Sequence, residues 1–289
     1  MKKNWRYLAI LLLAGLAACG GQAPKQAKPQ DAATPLGVAS EQLYRLSQPL
    51  ALAGVPAPAM IMPFSEGVTA LDTANWNCDA VTASGDLTDA DGDGIPVNAT
   101  YDGRCTWSYS GEGGSLSSFW RFDDLNIQDP SDHDEDAGVK ASGAVSWGVS
   151  GAGTNVTVNW NLERHQLFRH GGSYDFAYKG SWTVTTDSGN FTFSYDLSGT
   201  WTPSSGDDPW GDGTMTASGD FGGSGPGCAG WSSSVRLSGV VFDGGKVIGG
   251  TATVTVTDCS GSTETATITW SADRVCVSVD NHAACAPND

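Results

Sequence analysis

The chain has 289 residues, with 15 Lys and Arg against 32 Asp and Glu, a formal charge of −17. That balance argues against a nucleic-acid or other polyanionic partner. A chain of this length buries a sizeable core as one domain. The first element is a basic start, Lys2, Lys3 and Arg6, followed by an apolar run over residues 7–18. A short hydrophobic core behind a basic start directs export, and this one is too short to span a membrane.

The stretch "LAAC" at residues 16–19 resembles the lipobox of bacterial lipoproteins. The resemblance implies cleavage before Cys19 and attachment of lipid to its thiol, so that residues 1–18 form a signal peptide. Gly20 stands where that family places an Asp for inner-membrane retention, which implies an outer-membrane location in the cell envelope. Loss of the leader leaves 12 basic residues against 32 acidic ones. Residues 19–40, rich in Gly, Ala, Gln and Pro, read as a disordered tether.

A single β domain is expected over residues 41–289. Its first part, 41–75, includes an apolar stretch with Leu50, Leu52, Val55, Met60, Ile61, Met62 and Phe64, which Pro49, Pro56, Pro58 and Pro63 keep extended after a short helix. It is too apolar to float in water and is expected to pack on the domain or plug its mouth.

Region 76–138 is acidic. In "DADGDGIP" the residues Asp89, Asp91 and Asp93 alternate, Gly94 permits a sharp turn, and Ile95 supplies a carbonyl. Three carboxylates converging on one point suit a hard cation. The wording resembles EF-hand-like and thrombospondin type 3-like calcium loops over about a dozen residues. Counting Asp89 as the first ligand, Thr100 stands at the twelfth position in place of a bidentate Glu, and Pro96 with "VNATY" replaces the following helix. A calcium sensor is thereby excluded in favour of a structural Ca2+ clamp, with Asn98, Asp102 or Asp86 completing the shell. The alternative is a solvated acidic turn. A second run, with Asp129, Asp132, His133, Asp134, Glu135 and Asp136, lacks that alternation and reads as an exposed turn.

With Cys19 set aside, six cysteines remain, an even set for an oxidising compartment. Six allow fifteen pairings. Short hairpins favour neighbours, hence Cys78 with Cys105, Cys228 with Cys259, and Cys276 with Cys285. No Cys-x-x-Cys or His at ligand spacing supports a metal instead.

Region 139–289 alternates with period two. Val139, Ala141, Gly143, Val145, Trp147 and Val149 share one face. Val156, Val158, Trp160 and Leu162 repeat the pattern, as do Tyr174, Phe176, Tyr178, Gly180, Trp182 and Val184, then Phe191, Phe193, Tyr195, Leu197, Gly199 and Trp201. Further strands are expected at 215–221, 235–242, 252–256, 266–270 and 275–279, separated by Gly- and Ser-rich turns. The fold class is all-β, an antiparallel up-and-down meander forming a barrel, half-barrel or sandwich, with the aromatic face inward. A transmembrane barrel with that face outward is the rival, and a lipid anchor argues against it.

Catalytic signatures are missing. "GVSGA" at 148–152 fails as a nucleophile elbow, no His-Glu-x-x-His or phosphate loop occurs, and His165 and His170 fall on opposite sides of a strand. The function expected is therefore non-enzymatic: a lipid-anchored envelope module, structural or binding, with the membrane as one partner and an unknown protein or hydrophobic ligand as another. Rivals are a carrier of lipid in a barrel cavity, a polysaccharide-acting enzyme with two facing carboxylates, and a carbohydrate-binding adhesin using an exposed Trp such as Trp210.

Overall fold

The computed structural model describes residues 77–288, apart from 79, 94, 112–113, 132, 134–137, 152, 205–211, 245 and 280–281. The leader, Cys19, the tether, the apolar segment within 41–75, Gly94, Trp210 and Asp132 with 134–136 lie outside the described residues.

Thirteen strands make up the fold. They are β1 (Thr82–Asp86), β2 (Asn98–Gly111), β3 (Gly114–Gln128), β4 (Gly138–Gly151), β5 (Thr154–His170), β6 (Ser173–Thr186) and β7 (Gly189–Pro203). There follow β8 (Gly213–Gly225), β9 (Cys228–Asp243), β10 (Lys246–Thr257), β11 (Thr263–Trp270), β12 (Arg274–Val279) and β13 (His282–Pro287). All belong to one antiparallel sheet whose order is the order of the sequence, so the all-β up-and-down meander is the fold observed. Among the described residues no pairing joins β13 to β1. Of barrel, half-barrel and sandwich, a closed barrel and a two-sheet sandwich do not describe these residues: the strands form one sheet that is not closed.

Every strand expected within 139–289 is present in β4 to β12. The aromatic face is the buried one: Trp160, Phe176, Tyr178, Phe193, Tyr195 and Trp201 belong to one core cluster. Truncating a ring of this kind to Ala costs about 3–5 kcal/mol. Phe191 keeps the register of that face near the start of β7 and is 42% exposed. The sheet also extends through β1 to β3, where the sequence suggests an acidic loop region, and through β13, every residue of which is exposed.

The alternation in β3 is hidden by a bulge. Trp120 and Phe122 point inward, one extra residue intervenes around Asp124 (φ 50°), and Leu125 and Ile127 resume the inward face. Opposite it, Gly143 has a φ of 114°, and a Cβ there would lie 2.2 Å from the Asp124 carbonyl oxygen. Further register shifts occur in β5 between Leu162 and Arg164, and in β9 opposite Met215 and Ala217. Bulges bend a strand and raise its twist, which curls the sheet toward its apolar face.

Rings lying over glycines complete the packing. Phe119 covers Gly148, Tyr195 covers Gly180 and Trp231 covers Gly223, each glycine being the register partner of its ring. Only a residue with no side chain leaves that space. At Gly180 a Cβ would stand 2.3 Å from the Asn161 carbonyl oxygen and 2.8 Å from the Tyr195 hydroxyl. Gly180→Ala should therefore destabilise the fold by roughly 2–4 kcal/mol in urea melts. The control Gly230→Ala, whose added Cβ meets nothing closer than 3.9 Å, should stay near wild type.

Candidate functional site

The acidic loop, residues 87–97, connects β1 to β2, whose pairing runs from Thr82 with Asp102 to Asp86 with Asn98. Aspartates shape the loop by accepting from nearby backbone amides, the Asx-turn habit of this residue. Asp86 Oδ1 takes the Thr88 amide at 3.2 Å and its hydroxyl at 2.7 Å, which lowers the Asp86 pKa. Asp89 Oδ1 takes the Gly92 amide at 2.8 Å, Asp91 Oδ1 the Asp93 amide at 3.2 Å, and Asp93 Oδ1 the Ile95 amide at 2.6 Å.

The far side of the loop is fastened to the sheet. Ile95 and Pro96 are buried, the Val97 amide donates to the Thr88 carbonyl at 2.9 Å, and the Asp129 amide donates to the Pro96 carbonyl at 3.1 Å. The disulfide Cys78–Cys105 encloses the same stretch. The other two bridges, Cys228–Cys259 and Cys276–Cys285, are likewise the expected pairs.

Asp89, Asp91 and Asp93 each bring a carboxylate oxygen within 4.8 Å of the others. Asp91 Oδ2 is buried without a hydrogen-bond partner. These are hard oxygen donors converging on one point, and the set fits a calcium ion, with the Ile95 carbonyl as the nearest further donor in sequence. The other two residues assigned to the shell are engaged elsewhere. Asn98 Oδ1 accepts from Asn126 Nδ2 at 2.7 Å and Gln128 Nε2 at 3.3 Å, and Asp102 Oδ1 accepts from the Asp124 amide at 2.9 Å, capping the β3 bulge. In the second acidic run, Asp129 Oδ1 accepts the Ser131 amide at 2.8 Å, and His133 lies in an exposed turn.

A second polar group lies in the core. Trp160 Nε1 donates to the Tyr195 hydroxyl, and that hydroxyl lies 2.7 Å from His165 Nε2. With Tyr195 accepting from Trp160 and donating to Nε2, the imidazole hydrogen sits on Nδ1. His165 Nδ1 and the Tyr178 hydroxyl are buried without hydrogen-bond partners. Burial pushes the Tyr178 and Tyr195 phenols up and the His165 pKa down to about 3. His165 and His170 do separate, one buried and one exposed. That His165 joins Trp160 on the inner face follows from the β5 bulge, and no pattern in the sequence announces it.

Fold and bridges define the class: a disulfide-rich all-β protein built on one open antiparallel meander. No family model, curated protein or solved structure matches the chain.

The buried imidazole makes stability depend on acid. Unfolded, it takes a proton near pH 6.5; folded, it stays neutral down to about pH 3. Between those values the unfolded chain binds more protons, so the contribution is complete above about pH 6.5 and falls as pH drops toward about 3, by up to roughly 1.4 kcal/mol per pH unit. Urea midpoints between pH 7 and 4 should fall, and more steeply than in His165→Phe.

Proposed function

We propose that this is a non-enzymatic module of the cell envelope, anchored by lipid at Cys19 and stabilised by three disulfides and a calcium ion. The observation that carries it is the convergence of Asp89, Asp91 and Asp93 within 4.8 Å on a hairpin loop enclosed by Cys78–Cys105. The loop's amide contacts build the turn from the chain's own groups. A calcium ion there offsets two of the three clustered negative charges and locks the start of the sheet. Extracellular sites of this kind bind calcium with dissociation constants on the order of 10⁻⁴ to 10⁻³ M, a range suited to constant occupancy outside the cell. The export leader and the even set of bridged cysteines both support an oxidising compartment.

A filled module is favoured over a hydrophobic carrier. The rings that would line a carrier's cavity pack against one another, Phe176 on Tyr178 at 5.6 Å and Phe193 on Phe221 at 6.2 Å between centroids.

At tenfold excess over its dissociation constant, calcium should stabilise the fold by roughly 1.4 kcal/mol, and a chelator should lower the melting temperature by a few degrees. Asp91→Ala should melt at one temperature with or without chelator; a wild-type melt that ignores chelator would reduce the loop to a plain turn. Cys19→Ser should move the protein from the membrane fraction to the soluble one, and continued labelling of that variant by a fatty-acid probe would refute the anchor.

A further inference from the structure

On the solvent face of β7 to β10, far along the chain from the acidic loop, lies a polar groove of about 480 Å³. The register builds it from two parallel rows of side chains. One row runs Asp196, Asp220, Ser234, Thr255, and the next runs Ser198, Ser218, Arg236, Thr253. Each row takes one residue from each of the four strands, so the groove crosses the strands at a spacing of about 4.8 Å, the scale of a pyranose ring.

The charges in it are unusual for a sheet surface. Asp196 and Asp220 stand directly opposite one another on adjacent strands, where like charges repel. Asp196 is offset by Arg164 at 3.7 Å and Lys179 at 3.9 Å. Asp220 has no such cation, and Arg236 on the next strand has no carboxylate within ion-pair distance among the described residues. A sheet shaped for stability alone would place a hydroxyl or a cation at position 220.

We infer that this groove is a binding site for a neutral oligosaccharide. Carboxylates accept from vicinal hydroxyls, a guanidinium donates to ring and hydroxyl oxygens, and the Ser and Thr hydroxyls do both. The other ligand classes fit poorly. Of the residues lining the groove only Val235 has an apolar side chain, too little for a lipid. Charges of both signs, Asp196 and Asp220 beside Arg164, Lys179 and Arg236, on a chain of net charge −17 offer a polyanion no positive field. An extended peptide needs a free strand edge, and these four strands are paired on both sides. A bare cation meets Lys179 and Arg164 already seated on Asp196, with Arg236 close by. This site goes beyond the envelope reading and depends on neither the lipid anchor nor the calcium loop.

The test is calorimetry of the purified full chain against neutral cello-, chito-, manno- and galacto-oligosaccharides, with oligogalacturonate and calcium alone as contrasts. At least one neutral oligosaccharide should bind at millimolar concentration or below, and Asp220→Ser and Arg236→Ser should each weaken it on the order of tenfold. Asp220→Ser should also melt about 1–3 °C higher, because it removes the like-charge pair while removing a ligand contact. A gain in stability joined to a loss of binding is not the signature of a misfolded variant. The proposal is overturned if no neutral oligosaccharide binds, if both variants bind as wild type does, if oligogalacturonate binds more tightly, or if calcium alone titrates in wild type with heat that Asp220→Ser abolishes.

Discussion

The structure rests on how an aromatic face is packed when, among the described residues, one sheet supplies all the regular structure. Period-two alternation delivers Trp, Tyr and Phe to one side of the meander, and rings of that size do not fit side by side on a flat sheet. Bulges curl the strands, and glycines at register positions let rings lie across the neighbouring backbone. Tyr195 shows the geometry at its clearest: its ring covers Gly180 on β6, and its hydroxyl reaches Trp160 and His165 on β5. The same crossing puts an imidazole among aromatic rings, where its charged form is strongly disfavoured. Acid sensitivity is thus a by-product of the packing device.

Where the alternation is unbroken the strands can be read directly, as in β6 and β7, each of which carries its inward set without interruption. Where a bulge intervenes the pattern fails, because one extra residue moves every later side chain to the other face. Asp124 hides β3 in this way, and the shift after Leu162 conceals the inward turn of His165. β13 is invisible for a different reason. It buries nothing, and it pairs with β12 through backbone bonds and the Cys276–Cys285 bridge rather than through an apolar pattern.

The acidic loop was legible in its core and not in its periphery. Asp89, Asp91 and Asp93 converge because their alternation is local and each is held by an amide two or three residues on. Asn98 and Asp102 lie beyond the point where "VNATY" becomes strand, and there the side chains answer to cross-strand neighbours: Asn126 for one, the bulge at Asp124 for the other. The same aspartate that looks like a ligand in sequence is a cap in space. The groove on β7 to β10 could not be read at all, since it consists of residues that are neighbours only through the register of four strands.

An open meander in which each strand touches chiefly the strands before and after it is close to a one-dimensional array. Loss of structure in such an array begins at its two ends, where a strand has a single neighbour to hold it. The three disulfides are distributed accordingly. One fastens the approach to β1 onto β2, one ties the start of β9 to the turn after β10, and one joins β12 to β13, while β3 to β8 carry none. The first and last of these links act as end stops, raising the free energy of fraying at the margins, while the rings hold the stretch from β3 to β8.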